Sequence, residues 1–109
     1  MSIPQDLGAD FLWTFDCYDI IDGVETASDL TGDTFLFEIY GLDGTVWIVK
    51  TNGSGITVTG NRTVIQFDKA AWTVTNKVFL RGCKYPYKLG QVTAAGFDKP
   101  LIAGKIYTT

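Results

Sequence analysis

Histidine is absent from this 109-residue chain. With it go the usual general base, the usual member of a nucleophilic triad and the commonest metal ligand. Cysteine is scarce: Cys17 and Cys83 stand 66 positions apart with no CxxC, so neither a zinc site nor a redox motif is offered. No phosphate loop is present either, because Gly53-Ser54-Gly55 runs on into Ile56-Thr57-Val58 without a Lys-Ser/Thr pair. No segment approaches the ~18 uninterrupted apolar residues of a membrane span. Met1 to Phe15 contains Asp6 and Asp10 but no basic residue, the wrong pattern for a secretory signal. The expectation is therefore a protein made and kept in a cytoplasm, with both cysteines as buried free thiols rather than a disulfide.

Positive charge is also missing, but only from one half. Residues 1–49 hold ten of the twelve carboxylates and no Lys or Arg, while all nine Lys and Arg lie at or after Lys50. The halves carry −10 and +7, which combine to the net −3. Such sorting is satisfied internally, across neighbouring strands, or externally, between copies of the chain. The acidic balance argues against nucleic acid as the main partner, since phosphate contacts need a dominant basic face.

What is present is apolar and aromatic: 46% hydrophobic residues, with three Trp, five Tyr and seven Phe. That is rich for a domain of this size, whose surface is large relative to its volume. The surplus either fills the core or leaves a patch for a partner. Two-residue alternation dominates the chain. Phe11, Trp13, Phe15 and Cys17 share one strand face, and Phe35, Phe37 and Ile39 another. Val46 and Ile48 oppose Trp47 and Val49, as in a strand covered on both sides. Further runs fall at Ile56–Val58, Val64–Phe67, Trp72–Val74, Val78–Leu80, Cys83–Leu89 and Leu101–Tyr107. Asp22-Gly23, Gly32-Asp33 and Asn52-Gly53 tolerate positive φ, and Asp43-Gly44 and Gly60-Asn61 read as tight hairpin turns. Pro86 demotes its strand to an edge or a bulge. Helical spacing is absent apart from one possible turn at Asp68–Thr73, which Asp68 is able to cap.

These signals predict an all-β domain over residues 10–109, a two-sheet sandwich of about eight short strands. Residues 1–9, with Pro4 and Gly8, read as an arm outside the core: a frayed end, or an extension reaching a neighbouring subunit.

Carboxylates give no catalytic pattern. Asp16, Asp19 and Asp22 are spaced by three, which on a strand turns neighbours to opposite faces. Asp29 and Asp33 offer two oxygens where calcium takes six to eight. Nothing sets Glu38 and an aspartate across a cleft at the ~5–10 Å that glycoside hydrolysis requires. Asn61-Arg62-Thr63 matches a glycosylation sequon only as turn composition. No enzyme, cofactor, metal or small-molecule substrate is expected.

One order of motifs is more specific. Asp29-Leu30-Thr31-Gly32 opens the strand Thr34–Tyr40, followed by a hairpin return at Gly44-Thr45-Val46. Then come Gly55-Ile56-Thr57-Val58, the aromatic strand Tyr85-Pro86-Tyr87-Lys88-Leu89, Gly96, and the closing Leu101–Ile106. Across residues 11–107 this resembles small phage virion domains typified by the amino-terminal domain of the siphophage baseplate upper protein. Two departures stand out: Pro86 interrupts the aromatic strand, and Lys88 occupies its usual acidic position. The resemblance implies an immunoglobulin-like sandwich and service as a virion structural part, with no catalytic residues to carry over.

The resulting expectation is a homo-oligomeric virion component, in the host cytoplasm during assembly. It docks on a tail, baseplate or fibre-attachment ring beside other phage structural proteins, with Trp47 and Trp72 as candidate interface residues. Alternatives are a capsid decoration protein, whose arm bridges capsomers, and a carbohydrate-binding module, which needs exposed coplanar aromatics on one sheet face.

Overall fold

The computed structural model describes residues 2–6, 9–68, 72 and 78–109, with the side chain of Ser2 not described. Ten strands follow one another: β1 (Ser2–Gln5), β2 (Phe11–Asp16), β3 (Tyr18–Ile21), β4 (Val24–Ala27), β5 (Thr34–Tyr40), β6 (Val46–Asn52), β7 (Gly55–Thr59), β8 (Arg62–Phe67), β9 (Lys84–Val92) and β10 (Asp98–Thr108). Eight of them form one sheet in the order β1-β10-β9-β5-β6-β7-β8-β2, and β3 and β4 form a separate hairpin.

The all-β expectation holds. The division into two large sheets does not, because one ladder runs through all eight strands. The reason lies at the corner between β6 and β7. These strands touch only through Thr51 and Asn52 against Gly55 and Ile56, in parallel register. Gly53 and Gly55, at φ 77° and 97°, supply the left-handed backbone that lets the chain turn so sharply. The sheet therefore curls on itself into a nearly closed, barrel-like shape. Its two edges meet near residues 5–10, where Gln5 Nε2 donates to the Asp10 carbonyl at 3.1 Å.

The core lies inside the curl. Phe11 of β2 stacks on Phe67 of β8 at 4.7 Å, its direct cross-strand partner. Trp13 meets Tyr87 of β9 edge-on at 5.5 Å, and Phe15 meets Phe35 of β5 at 6.4 Å. Edge strand β2 thus lies over the middle of β5 and β9. Tyr85, Tyr87 and Leu89 all point inward and are buried, so the aromatic strand serves the core. Its neighbours β10 and β5 make β9 an internal strand, contrary to the edge that Pro86 predicts. The proline fits because pairing with β5 ends at Tyr87, the residue next to it, leaving the β5 flank of Pro86 open. Pro4 lies on edge strand β1, and Pro100 adjoins the bulge in β10.

Three expectations need adjustment. The amino-terminal arm is in part a strand: residues 2–5 pair in parallel with β10, and Ile3 packs against the core. Strand β6 is not simply two-sided, since a bulge opposite Ile39 and Tyr40 turns both Trp47 and Ile48 inward and leaves Val46 and Val49 exposed. Val78–Leu80 forms no strand. The possible helical turn at Asp68–Thr73, and Val74, fall largely outside the described residues. Turn chemistry is as expected: Gly60-Asn61 links β7 to β8, and residues 41–45 link β5 to β6.

Candidate interaction surfaces

Strands β3 and β4 stand apart from everything above. They are joined by Asp22 and Gly23, both at positive φ (50° and 78°), the geometry of a type I′ turn. The hairpin is rooted where Ser28 N donates to Cys17 O at 3.0 Å, and where Cys17 N and the Asn61 side chain bond across to each other's backbone. Every residue from Tyr18 to Ala27 is exposed, and none belongs to the core.

Cross-strand register decides what each face of this finger presents. Tyr18 pairs with Ala27 and Ile20 with Glu25 on one face, while Asp19 pairs with Thr26 and Ile21 with Val24 on the other. Each face therefore combines apolar bulk with an acid, and neither lies on the body. Ile20, at 78% exposure, is the most exposed large apolar side chain among the described residues. A two-stranded hairpin is marginally stable alone in water, and exposed apolar strands invite pairing. The Cα radius of gyration, 14.9 Å, exceeds the ~13 Å of a compact domain of this length, in keeping with a projection.

A second surface is the outer face of β5, β9 and β10. Inward Tyr85, Tyr87 and Leu89 leave Lys84, Pro86, Lys88, Gly90 and Val92 pointing out. Gly90 sits directly between Leu36 of β5 and Pro100 of β10. Having no side chain, it opens a groove of about 300 Å³ over itself, bordered by Leu36, Val92 and Pro100 and flanked by Lys88 and Lys99. A Cβ built on Gly90 would meet nothing within 4 Å. Lys84 and Lys105 continue the basic character along the same strands.

Between these surfaces lies the Asp29–Gly32 loop, and its role is internal. Asp29 accepts from the Thr31 hydroxyl and from the Thr31 N–H, the latter at 3.0 Å, and these bonds hold its carboxyl below the usual carboxylate range. Leu30 is buried. Asp33 accepts from Gln91 Nε2 at 2.5 Å and from Ala94 N at 2.9 Å. Asn52 completes the lock, donating to Asp33 O and accepting from Phe35 N. The two aspartates considered for calcium are thus tied to loops by hydrogen bonds. Among the described residues no group of three His, Cys, Asp or Glu is arranged to hold a metal ion. Cys17 and Cys83 are free thiols, and burial pushes Cys17 up, aided by the charges of Asp16, Asp19 and Asp33.

Neither tryptophan proposed for an interface projects from the surface. Trp72 is 6% exposed, wedged against Phe67 and Phe79, and donates to the Ala9 carbonyl at 2.8 Å. It is a core residue that closes the end of the curl. Trp47 is half-buried beside Phe79 and Tyr85, with Nε1 bonded to Thr45 Oγ1. The exposed aromatics Tyr18, Phe97 and Tyr107 sit on the hairpin, a loop tip and β10. Among the described residues these three lie on separate elements rather than side by side on one sheet face. The hairpin itself was legible as Asp22-Gly23 between β-forming residues, a strong turn signal. The turn pair is read correctly in the sequence; that its two strands form a separate hairpin is not.

Comparison with known proteins adds no identity: no family model and no curated protein matches the chain.

Proposed function

We propose that this chain is a structural component of a phage virion, docking on a tail, baseplate or fibre-attachment ring through protein–protein contacts. The observation that carries the docking role is the exposed hairpin Tyr18–Ala27, apolar and acidic on both faces and with no residue packed into the core. The virion setting rests on the resemblance of the Asp29–Gly32, Tyr85–Leu89 and closing-strand motifs to small siphophage baseplate domains. The mechanism is geometric. The two halves of the curled sheet, facing each other across an aromatic core, do the work of a rigid sandwich. Charge sets the register of the contact, and apolar side chains supply its affinity.

Stoichiometry in purified particles tests this reading. Six to a few dozen copies, at an axial position in a particle map, support the tail or baseplate role. Hundreds of copies on the shell transfer the chain to capsid decoration, and absence from particles refutes a virion role altogether.

A further inference from the structure

The two surfaces described above complement each other. The hairpin carries Asp19, Asp22 and Glu25 and no basic residue; among the described residues no hydrogen bond or ion pair engages these three carboxylates. The groove face carries Lys84, Lys88, Lys99 and Lys105 against two acids, Asp98 in the groove lining and Glu38 across from Lys88; among the described residues none of these lysines forms an ion pair. Arg62 and Lys50, by contrast, are already engaged, by Asp16 at 2.9 Å and by the Phe67 ring at 5.6 Å. Apolar shape matches as well. The finger ends in Ile20, Ile21 and Val24, while the opposite surface has a side-chain-sized notch over Gly90, walled by Leu36, Val92 and Pro100.

We infer that the β3–β4 hairpin of one copy seats in the Gly90 groove of a second copy, apolar tip in the notch and carboxylates against the lysines. The inference rests on the reading of this chain as an assembling building block, and names the contact that assembles it. Finger and groove are unlike surfaces and every copy has one of each. Association therefore propagates from copy to copy until the rotation closes a ring. Burying the finger also removes the exposed apolar hairpin that a lone copy carries.

The test is sedimentation velocity of the purified full chain and four variants, with far-UV circular dichroism and melting to show folding. Gly90→Leu fills the notch where a Cβ meets no atom, at a residue outside the left-handed region, so it leaves the fold intact. Ile20→Ser blunts the tip without touching the core. Each is expected to weaken self-association at least tenfold, as the loss of a central anchor does. Asp19→Lys/Glu25→Lys, which leaves the Asp22 turn intact, and Lys84→Glu/Lys105→Glu, which leaves Lys88 facing Glu38, are each expected to fail alone and to associate when mixed. Raising ionic strength from about 0.05 to about 0.5 M is expected to weaken the wild-type contact.

A wild-type chain that stays monomeric, or a Gly90→Leu variant that associates as wild type does, overturns the inference. So does failure of the mixed charge-reversed pair. The virion reading fails separately: a chain missing from particles refutes it even if finger and groove bind, and a monomeric chain found in particles leaves it standing.

Discussion

Replacing Gly41 by alanine drives a methyl group into the Trp47 indole. A Cβ at position 41 would lie 2.2, 2.4 and 2.5 Å from three atoms of that ring, where carbon atoms normally rest ~3.5–4.0 Å apart. The indole has to retreat by more than 1 Å, at about that shortfall. It cannot do so freely. Phe79 packs edge-on at 5.0 Å, Tyr85 lies at 5.9 Å, and Nε1 holds Thr45 Oγ1 at 3.1 Å. Overpacking of this sort costs about 1–3 kcal/mol. Swinging the ring outward instead forfeits two aromatic contacts at about 0.5–1.5 kcal/mol each. Against this, alanine restricts the unfolded chain and returns about 0.4–1 kcal/mol. The net expectation is a loss of about 1–2 kcal/mol, read as a fall of about 1 M in the urea midpoint followed by circular dichroism. In a Trp47→Leu background the obstruction is gone, and Gly41→Ala is expected to be neutral or mildly stabilising. Equal cost in both backgrounds refutes the reasoning, since the penalty would then not come from the ring.

Thr63 is fully buried, opposite Phe15 and Val58, and its hydroxyl has no hydrogen-bond partner; Thr63→Val is expected to raise stability by about 1 kcal/mol, seen as a higher melting temperature. The Arg62 side chain holds the Asp16 carboxyl below its usual range through hydrogen bonding and charge. A depressed native pKa stabilises the fold above the unfolded value, and that contribution disappears as pH falls through the native one. Arg62→Gln is therefore expected to move Asp16 upward in an NMR titration and flatten the acid limb of stability; an unchanged Asp16 titration counts against the pair. With Cys83→Ser removing the other thiol, alkylation of Cys17 is expected to be slow at neutral pH and to accelerate only in alkali, because burial and three nearby carboxylates raise its pKa. Rapid labelling near neutrality would show the thiol to be more open than its surroundings indicate.

Local rules carried most of the fold. Alternation in Phe11–Phe15 and Phe35–Ile39 identified the inward faces, because a strand buried on one side repeats every second residue. Gly60-Asn61 and Asp43-Gly44 marked hairpins because few other pairs accept their backbone angles. The global closure was not legible. Whether one ladder or two runs through the strands depends on two residue pairs at the β6–β7 corner, and no periodicity records such a junction. The bulge at Trp47 was hidden for a similar reason: one extra residue inverts the alternation locally, so a half-covered strand reads as apolar on both sides. Trp72 was a candidate for an interface as well as for the core, because it stands near a strand break; a break at the end of a curled sheet is where a large side chain is needed as a plug. The finger was legible only as its turn: Asp22-Gly23 marked a positive-φ pair, but the apolar residues Tyr18, Ile20 and Val24 beside it carry no local sign that their strands stand off the core.

Charge sorting along the chain can now be followed residue by residue. Several of the acids in the first half serve the fold: Asp16 pairs with Arg62, Asp29 and Asp43 shape turns, and Asp33 ties its own loop to Gln91 of β9 and to Ala94 in the β9–β10 loop. Glu38 stands across from Lys88 on the neighbouring strand and accepts the Tyr40 hydroxyl. Asp6 accepts from the Thr109 hydroxyl and Asp10 is engaged as well, so the hairpin acids Asp19, Asp22 and Glu25 remain, grouped within seven residues and carried away from the core. Lys84 of β9 and Lys99 and Lys105 of β10 remain in the same way. Exposed charges of one sign repel each other and gain nothing for the fold when left alone. Retaining two such groups, of opposite sign and each interleaved with apolar side chains, has a physical use when the surfaces meet between molecules rather than within one.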